Sequence, residues 1–183
     1  MTIRATAVLL GSLLAIHCLP AAAADARSEF FTNLSKLCGA TFEGASVFPK
    51  DPAHDFYGKK LVANVASCTA DEVRIPFAVG EDRSRTWVLR KAGDALFLQH
   101  DHRHADGTPD KVTLYGGPAS RTGTSQAQSF LADAYTAELV PGAGTNVWTI
   151  SVSPDGRTLT YALERDGKPR FKAELRRTAA AGR

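Results

Sequence analysis

From Gly39 onward, apolar residues recur at every second position, in short runs separated by turn residues. Val73, Ile75, Phe77 and Val79 alternate with Glu72, Arg74 and Pro76, which places one side of the run in a core and the other in water. That period belongs to strands, and it repeats through most of the chain. Strands are expected over 39–47, 61–68, 73–79, 86–90, 95–104, 111–116, 125–130, 147–153, 157–164 and 170–176. The connections carry turn chemistry: Ala92-Gly93-Asp94, Asp106-Gly107, Pro154-Asp155-Gly156 and Asp166-Gly167-Lys168. Pro76 cannot donate to a ladder, so its strand should sit at an edge or carry an irregularity there.

Helical spacing is confined to two places. Over 28–38, Ser28 can cap, Phe30, Leu34 and Leu37 share a face, and Gly39 stops the run. A shorter helix is expected over 132–139, closed by Pro141-Gly142. Evenly spaced strands must bury one face and also dispose of their edges. Short turns between consecutive strands favour a mainly β, single-domain, antiparallel up-and-down barrel of about nine or ten strands, with the N-terminal helix plugging or flanking it. A β-sandwich is the other solution. A barrel of this size commonly keeps a ligand-sized interior.

The beginning of the chain reads as an export signal, over residues 1 to about 24. Arg4 supplies a positive start, Val8 to Leu14 an apolar stretch, and Ala22-Ala23-Ala24 a small-residue cleavage site before Asp25. The alternative, lipidation at Cys18, is disfavoured by the bulky His17 before it. The mature domain would then run over 25–183, with no apolar segment near the roughly 20 residues that a membrane-spanning helix needs. Cleavage leaves two cysteines, Cys38 and Cys68, and two thiols in an oxidising compartment pair. The net charge of +3 forms no clustered basic face beyond the tail from Arg170 to Arg183, so nucleic acid is not an expected partner.

Three of the five histidines fall within Gln99-His100-Asp101-His102-Arg103-His104. On a strand, His100, His102 and His104 share the face of Leu96 and Leu98, so they would line the interior near one mouth. Imidazoles at i and i+2 can converge on one divalent transition metal, which makes His100 and His102 candidate ligands. A third ligand would come from elsewhere, with Glu72, Asp94 and Asp110 as the choices. The competing reading is a polar strand end leading into a solvated hairpin. A second group, Arg83, Arg85 and Trp87, also shares a face and could clamp an anion. Its plainer reading pairs the arginines with Glu81 and Asp82 and puts Trp87 in the core. Gly116 and Gly117, after Tyr115, fit a bulge, a close approach to a ligand, or a simple turn. No GxSxG, Walker A or GxGxxG motif is present, and no Ser or Cys is placed beside a histidine by a motif.

The stretch Ile75-Pro76-Phe77-Ala78-Val79-Gly80-Glu81-Asp82-Arg83-Ser84-Arg85-Thr86-Trp87, followed by the histidine strand, Tyr115-Gly116-Gly117 and Asn146-Val147-Trp148, resembles a family of exported bacterial proteins whose function is not established. The resemblance implies an envelope or secreted location and carries no activity with it. The helix followed by a meander also resembles the calycin barrels of the lipocalin and fatty-acid-binding type. The first strand lacks their Gly-x-Trp, having Gly39 and Phe42 instead, so their ligands do not carry over. The expectation is a periplasmic or secreted protein that binds a small molecule or a metal ion, with His100, His102, His104, Arg83, Arg85, Trp87 and Tyr115 at the site. The alternatives are an enzyme, metal-dependent or using a histidine oriented by Asp101 or Asp106 as acid or base, and a protein acting through its surface alone. Export has a direct test: the chain recovered from an osmotic-shock fraction should begin at Asp25 by intact mass, and recovery of a chain that retains Met1 only with the cytoplasm contradicts it.

Overall fold

The computed structural model describes residues 21–178. Most of the expected export signal, including Cys18, and the last residues of the basic tail lie outside the described residues. The elements in chain order are α1 (Ala21–Ser35), β1 (Thr41–Phe48), β2 (Leu61–Asn64), β3 (Ser67–Cys68), β4 (Glu72–Val79), β5 (Asp82–Ala92), β6 (Ala95–His102), β7 (Tyr115–Pro118), β8 (Ala127–Leu131), α2 (Ala134–Leu139), β9 (Val147–Val152), β10 (Thr158–Arg165) and β11 (Lys168–Arg177).

All named pairings are antiparallel, and the ten long strands follow one another around the sheet in chain order. The last strand returns to the first, with Phe42 opposite Arg177 and Ala45 opposite Glu174. The two ends of the sheet, β7 and β8, meet across a thin seam. It is bridged at Ala119 and Phe130, with Ser120 N donating to Ser129 O at 2.7 Å. The result is a nearly closed up-and-down barrel, consistent with the calycin-like outline, and not a sandwich.

The alternation sets what the barrel contains. Ile75 and Phe77, Trp87 and Leu89, Leu96 and Leu98, Trp148 and Ile150, and Leu159 and Tyr161 are all buried, while most of the residues between them, such as Pro76, Phe97, Thr149 and Thr160, are partly or fully exposed. Rings form a layer across the interior, with Trp87 stacked between Phe77 and Tyr161 at 4.4 Å on either side. Pro76 lies in an internal strand, not at an edge. It falls past the last β2–β4 pair, Ala63 with Phe77, and before β3 pairs at Ser67 with Arg74, so its missing N–H costs no ladder bond on that side, and the register with β5 shifts just after it, between Phe77 and Val79.

Two elements close the construction. Helix α1 buries Phe30, Phe31 and Leu34 across one end of the barrel, and Asn33 Nδ2 donates to Ser125 O at 3.1 Å. It starts earlier than expected, since the alanine run continues the helix backwards, and tight i to i+3 bonds from Leu37 and Cys38 end it at Ser35. Gly39, at φ 83°, then turns the chain into β1. The short helix α2 seals the seam. Its Thr136 hydroxyl donates to Gly116 O at 2.8 Å and accepts from Gly116 N at 2.7 Å, satisfying strand backbone that has no strand partner there. Gly116 and Gly117 mark a close approach of backbone to backbone. A Cβ on either would lie 2.0 Å from a carbonyl oxygen, of Leu98 or of Leu131 respectively.

Some boundaries differ from the sequence reading. The strand expected over 111–116 is only Tyr115–Pro118, because Leu114 adopts φ 58° and breaks the extended run before it. The histidine strand ends at His102, where the chain enters the 103–109 hairpin turn.

Cys38 and Cys68 form a disulfide with Cα atoms 6.1 Å apart and a sequence separation of 30. It ties the exit of α1 to β3 and so holds the plug on the barrel. Closing a loop of this length should stabilise the fold by roughly 3–4 kcal/mol in the chain-entropy model. The Cys38→Ser/Cys68→Ser protein should lose that much unfolding free energy, extrapolated to water from urea melts with m fitted for each protein; an unchanged free energy would show that the bridge contributes nothing.

Candidate functional site

The end of the barrel opposite α1 is open, and β6 runs toward it. Leu96, Leu98 and His100 are buried on one face; His102, next in phase, is half-buried, and His104, beyond the end of the strand, is exposed. His104 belongs to the hairpin turn, where its N–H donates to Thr108 O at 2.9 Å.

His100 is fully engaged. Its Nδ1 lies 3.1 Å from the Tyr115 carbonyl, which can only accept, so Nδ1 carries the proton. Nε2 is therefore the acceptor for the Tyr161 hydroxyl at 2.7 Å. The ring also stacks on Tyr115 at 4.7 Å and tilts against Trp148 at 5.1 Å. Burial pushes its pKa down to about 3, only partly countered by the Tyr115 carbonyl, and His102 lowers it further. His100 is thus a neutral structural imidazole that fixes two tyrosines from within the wall.

His102 Nε2 is 3.1 Å from the Tyr115 hydroxyl. Burial, then the Arg85 guanidinium, lowers its pKa. Burial raises Tyr115 and raises Tyr161 well above the ordinary phenol value. His100, His102, Tyr115 and Tyr161 are therefore neutral at physiological pH and act as hydrogen-bond donors and acceptors.

These residues form one side of a cup of about 380 Å³ at the open end. His102, Tyr115, Trp148 and Tyr161 make its floor and one wall. Phe171 with Phe56 and His54, from the loop between β1 and β2, make the other. His54 is stacked on Phe171 at 5.5 Å, and Phe56 meets Phe171 edge-on at 5.0 Å. Asp55, Asp110, Asn146 and Arg165 add polar atoms to the lining. Phe48, Tyr57, Val112, Leu114, Leu131 and Tyr135, all exposed, belong to elements that end or turn around the same mouth.

The arginine group separates. Arg85 pairs with Asp82 and lies over the Phe56 ring at 5.3 Å, while Arg83 is exposed. Trp87 is buried beneath the cup in the aromatic layer and does not line it. Neither carboxylate considered as a histidine partner fills that role. Asp101 faces the other side of β6, where it takes Arg74 Nη2 at 2.6 Å and Arg103 Nε at 3.1 Å. Asp106 caps its own turn, accepting from Thr108. Among the described residues no three His, Cys, Asp or Glu converge as a metal set. Of the third ligands considered, Asp110 alone lines the cup; Glu72 binds Arg74 and Arg90, and Asp94 lies in the β5–β6 turn beside the α1 end.

Phe56, His54, Asn146, Trp148, Tyr161, Arg165 and Phe171 were not singled out as a site from sequence. They come from distant strands and a loop, and only the in-phase position of Trp148 and Tyr161 with Ile150 and Leu159 hinted that they point inward. The chain matches no protein-family model, no curated protein and no solved structure.

The neutral His100 makes stability depend on pH. Its folded pKa lies below the unfolded one, so as pH falls the unfolded chain takes up the proton first. This contribution is complete above the unfolded value, near 6.5, and declines down to the folded value, near 3. Between about pH 7.5 and pH 5 it should remove roughly 2 kcal/mol. His102 acts in the same direction. Urea unfolding at the two pH values should show this loss in the wild type and a shallower dependence in His100→Gln; equal slopes would mean that His100 titrates as it does in water.

Proposed function

We propose that this protein is an extracytoplasmic binding protein that holds one small planar aromatic molecule in the cup at the open end of its barrel. The observation that carries the reading is the convergence of aromatic walls with a few polar groups in one concave site. Rings from Trp148, Tyr115, Phe171 and Phe56 offer stacking and edge contacts to a planar guest. The Tyr161 hydroxyl gives its proton to His100, which leaves its oxygen as an acceptor at the floor. His102 and the Tyr115 hydroxyl supply a second polar pair at the wall. A volume of about 380 Å³ lies at the small end of ligand sites and suits one or two fused rings.

The disulfide agrees with an oxidising compartment. An acid–base enzyme is the weaker reading. His100 has both nitrogens committed within the wall, and the two aspartates considered as histidine partners are bonded elsewhere.

Naphthalene-2-carboxamide, a neutral probe of suitable size, should bind one per chain with micromolar affinity by calorimetry. Val140, on the cup lining at the end of α2, offers a way to fill it. Val140→Trp should weaken binding at least tenfold with an unchanged melting temperature. No binding by the wild type, or equal binding by a folded Val140→Trp, rules the cup out as the site.

A further inference from the structure

We propose that Arg165 is an anion anchor in this cup and that the molecule selected is a planar aromatic carboxylate. The inference rests on the aromatic-cup reading and adds the charge of the guest.

Arg165 ends β10 and is half-buried at the cup wall near Trp148, Leu163 and Phe171. Its Nε donates to Asn146 Oδ1 at 2.8 Å. Asn146 is itself 5% exposed, and its backbone is fixed on both sides: its N–H donates to Ala143 O, and its carbonyl accepts from Ala132 N, each at 2.9 Å. The guanidinium is thus oriented by a buried neutral group. That bond occupies one edge of the fork and leaves the Nη1 and Nη2 edge for a bidentate acceptor.

The charge of Arg165 has no partner among the described residues. The other half-buried strand arginines do: Arg74 is paired with Asp101 and Glu72, and Arg85 with Asp82. Desolvating a cation without a counter-ion costs free energy, and an incoming carboxylate would offset it. Two carboxylates also line the cup. Asp55 is exposed, and Asp110 turns one oxygen onto the Val112 N–H at 2.9 Å, so solvent and backbone screen both of them more than the wall screens Arg165. A carboxylate seated on Arg165 brings its ring among the rings of the same lining, Phe171, Phe56 and Trp148. Neither the anion nor the ring alone uses the whole site.

The test compares naphthalene-2-carboxylate with naphthalene-2-carboxamide by calorimetry at neutral pH and low salt, on the wild type, Arg165→Gln and Arg165→Lys. The wild type should prefer the carboxylate by tenfold or more. Arg165→Gln should lose that preference and bind the two probes about equally, and Arg165→Lys should retain only part of it. Equal binding of the two probes by the wild type overturns the anchor and leaves the aromatic cup standing. A preference that survives in Arg165→Gln overturns it as well. If neither probe binds, the cup reading fails and the anchor fails with it.

Discussion

Everything inside this barrel depends on the seam between β7 and β8. Elsewhere each strand finds its neighbour next in the chain or, for the last, at the first, and apart from the gap between β2 and β3 and local register shifts such as that at Phe77/Val79 the ladder is continuous. At the seam the Gly117 backbone comes too close to Leu131 of β8 for a side chain, and Gly116 before it lies as close to Leu98 of β6. Thr136 then replaces a strand partner with one hydroxyl that both gives and accepts. Tyr115 stands immediately before this point, and its carbonyl orients His100. A fault at the glycines would therefore reach the cup directly, through one residue of chain.

The two ends of the molecule are built from opposite materials. At one end a helix presents aliphatic and aromatic side chains, and a covalent bridge holds it there. At the other, the interior becomes progressively polar along β6, from Leu98 to His100 to His102, before the strand stops. His100 is the hinge of that change. It is deep enough to be held neutral, yet its two bonds pass outward to tyrosines that touch the cup. A buried polar group is tolerable only when its hydrogen bonds are complete, and here both ring nitrogens are satisfied.

The barrel was legible because period-two patterning and hairpin turns are local signals, and the pairing of Cys38 with Cys68 followed from having just two cysteines after the expected signal. The direction of His100 was also legible, since it shares phase with Leu96 and Leu98. The partners of these residues were not. Tyr161 lies 61 positions from His100, and no spacing rule connects them. The phase of Asp101 puts it on the face opposite the histidines, beside Arg103, but its shorter ion pair is with Arg74, 27 positions away on another strand. The left-handed Leu114 that shortens β7 was hidden because leucine carries no turn signal. The interior position of Pro76 depended on a gap between two other strands, which only the assembled sheet reveals.

The pairing of β1 with β11 governs the order in which the molecule can be completed. Thr178 N–H reaches the Thr41 carbonyl, across nearly the whole described chain. Until the last strand has been delivered, β1 has one vacant edge and the cylinder has no wall on that side. A chain emerging end-first from a ribosome or through a narrow pore can form hairpins early, but it cannot shut. Long-range closure of this kind is slow, because the loop entropy is lost before the contacts form. The consequence is one of timing: the finished barrel appears only after its last strand has arrived.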